Sequence, residues 1–252
     1  MPYNTPYPTI LYKYRDWDRT LHKSIITQRE VYLAPPSSFT DEDDCRIPIR
    51  FDLLSRDDVF KKYVFHSKED NPNWTRSQHR THAKKMTNNN PFKNSTYIEI
   101  FHKGFFEDFS SQFGVLSLTG NPENERMWIE YANNHQGFCI GFNSEILFKY
   151  LGGGRVVRYY HELPIIYPTP KHSVNTQMNL EIYSKKIQYI EEEEYRTHRF
   201  SNDLLTEEER HIILPVEAFN CLILGRDMTP ENKEDIKNSI PEIMRNLRII
   251  EI

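Results

Sequence analysis

The sequence predicts an α+β fold: a single compact domain over residues 1–252, with a central mixed or antiparallel sheet flanked by helices. Three observations lead there. Strand-like runs and helical periodicities follow one another without regular strand–helix–strand alternation, which argues against a doubly wound sheet. The segment 114–142 reads as strand, helix and strand, and its second strand, Phe138-Cys139-Ile140-Gly141-Phe142, is apolar on both faces and so sits centrally in its sheet. Hydrophobic content is only 38% while aromatic content is 13%, so the core draws heavily on Phe and Tyr rather than Leu and Val.

Each element has its own signal. After a Pro-punctuated arm that cannot be helical, residues 9–14 are rich in β-branched and aromatic side chains and read as a strand. Residues 19–28 read as a helix with Leu21, Ile25 and Gln28 on its inner face, and 31–33 as a short strand closed by Pro35-Pro36. A polar loop, 37–46, carries four consecutive acids from Asp41 to Asp44. Between 53 and 113 apolar residues thin out and Lys, Arg, His and Asn accumulate, so this stretch is expected to be a helical insertion. Its last helix, 97–113, turns Ile98, Phe101, Phe105 and Phe109 inward, with Gly114 as its stop. Residues 115–118 form a strand; Asn121-Pro122 should cap a helix over 123–133. A short helix at 145–150 leads to Gly152-Gly153-Gly154, which lacks the spacing of a phosphate loop and is read as a hairpin turn. A helix is expected over 179–190 with Leu180, Tyr183, Ile187 and Ile190 inward, followed by a strand after the acids of 191–194. Strands at 211–214 and 218–224 and a capped helix at 230–239 complete the chain.

Composition narrows the function. The formal net charge of −4, with both signs interspersed, gives no global reason for binding nucleic acid or an anionic membrane. The first residues lack a charged segment followed by an apolar one, and no run approaches the ~20 apolar residues needed to cross a bilayer, so a cytoplasmic location and no membrane partner are expected. Cys45, Cys139 and Cys221 are too scattered for a disulfide framework or a zinc knuckle.

Several segments together resemble a family of bacterial proteins known as domain of unknown function 2971 (DUF2971). They are LYKYR at 11–15, SSFTDEDDC at 37–45, VLSLT with MWIEYANNHQGFCIGF inside 115–142, EEYR at 193–196 and LPVEAFNCLILGRDM at 214–228. The family's loop usually reads Phe-Asn-Asp-Pro-Phe-Asp-Cys, whereas this chain has Thr40, Glu42 and Asp43 at the Asn, Pro and second Phe positions. The order of elements also resembles the ADP-ribosyltransferase fold, in which a first strand ends in a nucleotide-anchoring residue, a second carries Ser or Tyr and leads into a helix, and a later strand supplies a catalytic Glu.

That resemblance implies NAD as substrate and a small-molecule nucleotide as partner, with a protein or nucleic acid as acceptor, and by analogy a toxin or phage-defence role. Breaking the bond to nicotinamide passes through a cationic, oxocarbenium-like state, which needs a carboxylate near the ribose, aromatic surface and pyrophosphate donors. Glu194 is the expected catalytic carboxylate; the plainer alternative is a solvated acidic run. Lys13, Tyr14 and Arg15 end the first strand on alternating faces, and Lys13 or Tyr14 would hold ribose or pyrophosphate. Ser117 is the second-strand hydroxyl. Trp128 and Tyr131 lie three apart on one helix face, Trp128 for packing and Tyr131 for ligand contact. His135 suits a helix C-terminus. Arg196 shares a strand face with Glu194 and would pair with Glu192 or a ligand phosphate.

Other classes stay open. The acids at 41–44 would suit a metal-dependent nuclease, but they lack calcium-loop spacing and are expected to occupy a solvated loop, so no metal is assigned. The basic, His-rich segment 75–85 with Trp74 would suit nucleic-acid binding. An inert binding domain that has kept the fold is the third alternative.

Overall fold

In the computed structural model, which describes residues 7–252, seven of the eleven strands among the described residues join one sheet and the other four form two separate two-stranded pairs. The chain begins with β1 (Ile10–Arg15), α1 (Thr20–Thr27) and β2 (Glu30–Tyr32), then α2 (Arg56–Asp70), α3 (Arg76–Asn88) and α4 (Ser95–Gln112). Next come β3 (Phe113–Thr119), α5 (Glu125–Tyr131), β4 (Phe138–Asn143), α6 (Ser144–Leu151), β5 (Arg155–Val156) and β6 (Arg158–Tyr160). The rest comprises α7 (Val174–Tyr183), β7 (Ser184–Lys186), β8 (Glu194–Phe200), α8 (Glu207–Arg210), β9 (His211–Ile213), β10 (Phe219–Leu224), α9 (Pro230–Asn238) and β11 (Arg248–Glu251).

The principal sheet has seven strands in the order β11-β10-β4-β1-β3-β8-β5, antiparallel except where β11 runs parallel to β10. The fold is therefore α+β with a mixed central sheet flanked by helices. As expected, β4 is central; the 115–142 block also supplies both neighbours of β1. β1 pairs with β4 along its whole length, from Ile10↔Asn143 to Arg15↔Phe138. With β3 it pairs only at Tyr12↔Thr119. The sheet thus consists of two well-zipped halves that part beyond a single shared pair.

Opposed residues in register share a face. One face packs Leu11, Leu116, Leu118, Phe138, Ile140 and Phe142 against Ile25 and Ile26 of α1, Leu147 and Phe148 of α6 and Ile236 of α9. The other sets Tyr14, Cys139, Cys221 and Ile223 against Trp128 and Ala132 at α5. All three cysteines are buried, free thiols. Within 53–113 the chain forms α2, α3 and α4: α2 and α3 share a small core of Val59, Tyr63 and Ala83, and Phe101 and Phe105 of α4 pack on Ile47, Ile49, Phe51 and Ile166.

Some local expectations are corrected. Leu21 is 80% exposed, because α1 meets the sheet through Ile25 and Ile26. Asn124, rather than Asn121, caps α5; the Asn121 side chain accepts from the Glu123 amide in a turn. Gly152 ends α6 in the left-handed region, so the triple glycine is a helix stop and not a hairpin turn. The helix expected to 190 stops at Tyr183, and β7 and a 3₁₀ turn (Ile187–Glu192) follow, leaving Ile190 exposed. Gly114 lies inside β3 rather than ending α4. β11 had no sequence signal beyond Ile249-Ile250. The expected non-helical arm falls largely on residues 1–6, outside the described residues. Among the described residues no helix is long and apolar enough to cross a membrane.

Candidate functional site

Where β1 and β3 part, the sheet leaves a gap on the face that carries α5. A cavity of about 240 Å³ opens there, and Lys13, Tyr14, Arg15, Ser117, Tyr131, Glu194 and Arg196 all line it. These are the seven positions singled out from the sequence. The cavity is completed by the loop after β2, through Phe39, Thr40, Asp41 and Asp44, and by Lys185, Tyr189 and Glu192.

Its floor is a dense ion-pair cluster. Ser117 and Arg196 are register partners of β3 and β8, as are Thr119 and Glu194, so Glu194 and Arg196 point to the α5 face while Tyr195 packs on the other. The left-handed Glu193, with φ of 46°, turns the chain out of the 3₁₀ turn so that Glu192 and Glu194 both reach Lys185. Arg196 is 1% exposed, and all five of its N–H groups are engaged. Nε and Nη2 donate to Glu194 at 2.7 and 2.9 Å; Nη1 and Nη2 donate to Asp44 at 2.7 and 2.6 Å; Nη1 also donates to the Ile182 carbonyl at 2.8 Å. Two bidentate carboxylates are the best match a guanidinium has. The expected pairing of Arg196 with Glu192 or a ligand phosphate is therefore corrected: it orients Glu194 and Asp44 and keeps no donor for a ligand.

The cluster fixes ionisation states. Burial works against the Glu194 charge, but Arg196, Lys185 and a hydrogen bond from Ser117 outweigh it and hold the carboxyl at about 2. Lys185 Nζ meets Glu192 at 2.5 Å and Glu194 at 3.3 Å. Burial alone would discharge this ammonium, yet the surrounding carboxylates push its pKa up. Burial pushes the Glu192 carboxyl up, and Lys185 offsets that only in part. Glu192 thus takes up a proton more readily than Glu194.

The opposite wall is cationic. By alternation Lys13 belongs to the α1 face, but its side chain enters the gap and Nζ donates to the Ser117 carbonyl at 2.6 Å. Neither Lys13 nor Arg15 has a carboxylate within ion-pair distance among the described residues; Arg15 reaches only the Tyr14 carbonyl, at 3.4 Å. Burial, with Arg15 nearby, pulls the Lys13 ammonium well below its ordinary value, and burial lowers Arg15 to about 10. An entering anion would relieve both. Tyr14 is different: its hydroxyl donates to the Asn121 carbonyl at 2.9 Å, accepts from the Asn124 amide at 3.3 Å, and its ring meets Trp128 edge-on. It braces α5 more than it offers a free group. Tyr131 is 41% exposed, and burial of its hydroxyl near Glu192 pushes it up to about 12.

Sequence reasoning missed Lys185, and gave Asp44 and Glu192 no place among the site residues. The loop acids were expected to be solvated, and that is corrected: Asp44 is buried on Arg196, while Asp43 pairs with Lys186 outside the cavity. The acids therefore diverge instead of converging on one ion position. One buried acceptor in the cavity wall, Asp41 Oδ2, has no hydrogen-bond partner among the described residues. Trp128 is packing, as expected, and His135 stacks on it with Nε2 3.0 Å from Glu125.

Residues 127–201 match the family described as protein of unknown function (DUF2971), which agrees with the resemblance read from the sequence. The matched stretch runs from α5 to the end of β8 and contains Tyr131, Lys185, Glu192, Glu194 and Arg196. No curated protein and no solved structure matches the chain.

Proposed function

We propose that this chain, with its DUF2971-like stretch, is an ADP-ribosyltransferase-like enzyme that takes NAD into the gap between β1 and β3. The observation that carries the reading is the bipolar character of the cavity. An ionised, buried Glu194 stands on one side, and two cations without carboxylate partners, Lys13 and Arg15, stand on the other. NAD has the matching polarity, a cationic nicotinamide ring at one end and an anionic pyrophosphate. Phe39, Tyr131 and Tyr189 supply ring surface.

In this reading the C–N bond between ribose and nicotinamide breaks with its electron pair leaving on the ring, which departs neutral. Positive charge develops on the ribose carbon. The Glu194 charge, prealigned by Arg196, stabilises it without reorganisation. The acceptor's nucleophile forms the new bond and gives its proton to Glu192. The acceptor is a protein or a nucleic acid, and consumption of NAD in the cytoplasm would suit a toxin or phage-defence effector.

Glu194→Gln should lower nicotinamide release by about two to three decades, the usual effect of removing one preorganised electrostatic group. Because the amide also weakens the Arg196 contact, circular dichroism must accompany the assay, and Lys13→Met serves as a variant outside the cluster, expected to raise KM. Full turnover in folded Glu194→Gln would refute the catalytic assignment.

A further inference from the structure

Residues 71–98 contain five Lys or Arg and no Asp or Glu, in a chain whose formal charge is −4. This local excess is displayed on a firm support. α3 has a capping box at Thr75, shares its own core with α2, and is tied to it by a buried contact of 2.8 Å between Ser67 and His79. Its exposed flank beside α2 presents Arg76, Arg80 and Lys84 at successive i, i+4 positions, all exposed, forming a row about 12 Å long.

Elsewhere on the surface, cations are commonly neutralised: Lys61 pairs with Asp57 and Lys171 with Asp58 in the same region. None of the three in the row has a carboxylate partner among the described residues. Arg80 lies instead over the Phe60 ring, 5.4 Å from its centroid, which fixes the guanidinium in place. At the start of the row stands Trp74, 37% exposed, with His82 against its ring.

We propose that the α3 face binds single-stranded nucleic acid, with Arg76, Arg80 and Lys84 on successive phosphates and Trp74 as a stacking surface for a base. A row of unpaired cations accounts for affinity to a phosphodiester backbone, and an exposed indole beside it selects unstacked bases over a closed duplex. The surface is remote from the cavity in sequence and uses none of its residues, so it stands or falls independently of the NAD reading.

The test is fluorescence anisotropy of the full chain with labelled single strands of about a dozen nucleotides, DNA and RNA in separate arms, across a salt series. The slope of log affinity against log salt should be about −2, as expected for three phosphates on a single strand. The triple substitution Arg76→Gln, Arg80→Gln, Lys84→Gln should weaken binding at least tenfold and bring the slope near zero. Trp74→Ala should weaken binding about tenfold while leaving the slope unchanged. Binding of the triple variant equal to that of the unmodified chain would overturn the proposal. So would absence of binding at the lowest salt, equal affinity for duplex with no effect of Trp74→Ala, or a row that retains anionic lipid vesicles but not oligonucleotides.

Discussion

Arg196 spends every donor it has inside the protein, and that changes what the residues around it can do. Burying a guanidinium and two carboxylates is costly, and bidentate pairing offsets the cost only while all partners stay in place; removing one partner of such a cluster typically costs about 3–5 kcal/mol. Glu194 and Asp44 are therefore held in fixed positions. A few residues away, Glu181 shows the opposite outcome of burial. It is 2% exposed and, among the described residues, pairs with no cation and accepts only from the Ile47 amide, at 2.9 Å. Burial pushes its carboxyl up to about 8. A carboxyl whose folded pKa is raised favours the folded state below the unfolded value and loses that advantage as pH rises through the folded one. Wild-type stability should therefore fall between about pH 5 and pH 8 by up to roughly 1.4 kcal/mol per pH unit from this group. Glu181→Gln keeps an acceptor for Ile47 and should remove that part of the slope. Urea unfolding of both proteins at several pH values checks this, and parallel curves for the two would rule it out.

At the scale of elements, α5 and the turn before β8 depend on each other. Asn124 accepts from the Met127 amide as the helix cap, and its Nδ2 donates to the Glu191 carbonyl. One side chain thus ties the helix that carries Tyr131 to the turn that delivers Glu192 and Glu194. Asn124→Ala should cost more than the ~1 kcal/mol of a lost cap, while Asn124→Asp, which keeps the cap acceptor but loses the donor, should fall between. Denaturant midpoints measure both; an Ala variant no less stable than the Asp one would show that the tether contributes nothing. Elements of this kind also mark where sequence reading succeeds. β1, β3, β4 and β10 were legible because each is a short apolar run with little competing pattern. The α5 start was misplaced because Asn121-Pro122 and Asn124 both carry cap chemistry, and only tertiary contacts with Tyr14 and Glu191 decide between them. The end of α7 was hidden because its apolar spacing continues past Tyr183, although Ser184 and Lys185 are drawn into β7 by pairing with β6.

For the whole molecule, the determining feature is that β1 and β3 share one register pair and then separate. That gap lets Lys13 reach through the sheet and brings β1, α5, β8 and the loop after β2 to one cavity. The seven expected positions converge there because strand alternation and chain order carry real information about faces. Asp44 and Lys185 could not be found in that way. Asp44 is 152 residues from Arg196, in a run of four acids of which only one is buried, and Lys185 stands beside Lys186, which pairs with Asp43 on the surface. Which member of a charged run turns inward depends on long-range packing, to which local pattern is blind.

Binding of NAD in this gap through its cationic wall, as proposed, can be measured by calorimetric titration of NAD into the unmodified chain and into Lys13→Met. Because burial lowers the Lys13 ammonium, an anion bound beside it should recharge it, so affinity should decline as pH rises and binding in alkaline buffer should take up protons. Lys13→Met should bind at least tenfold more weakly and lose that pH dependence, since a charge-assisted contact to phosphate is worth about 1.5–3 kcal/mol. Absence of binding heat in the unmodified protein, or equal affinity and equal pH dependence in Lys13→Met, would rule out NAD binding at this wall.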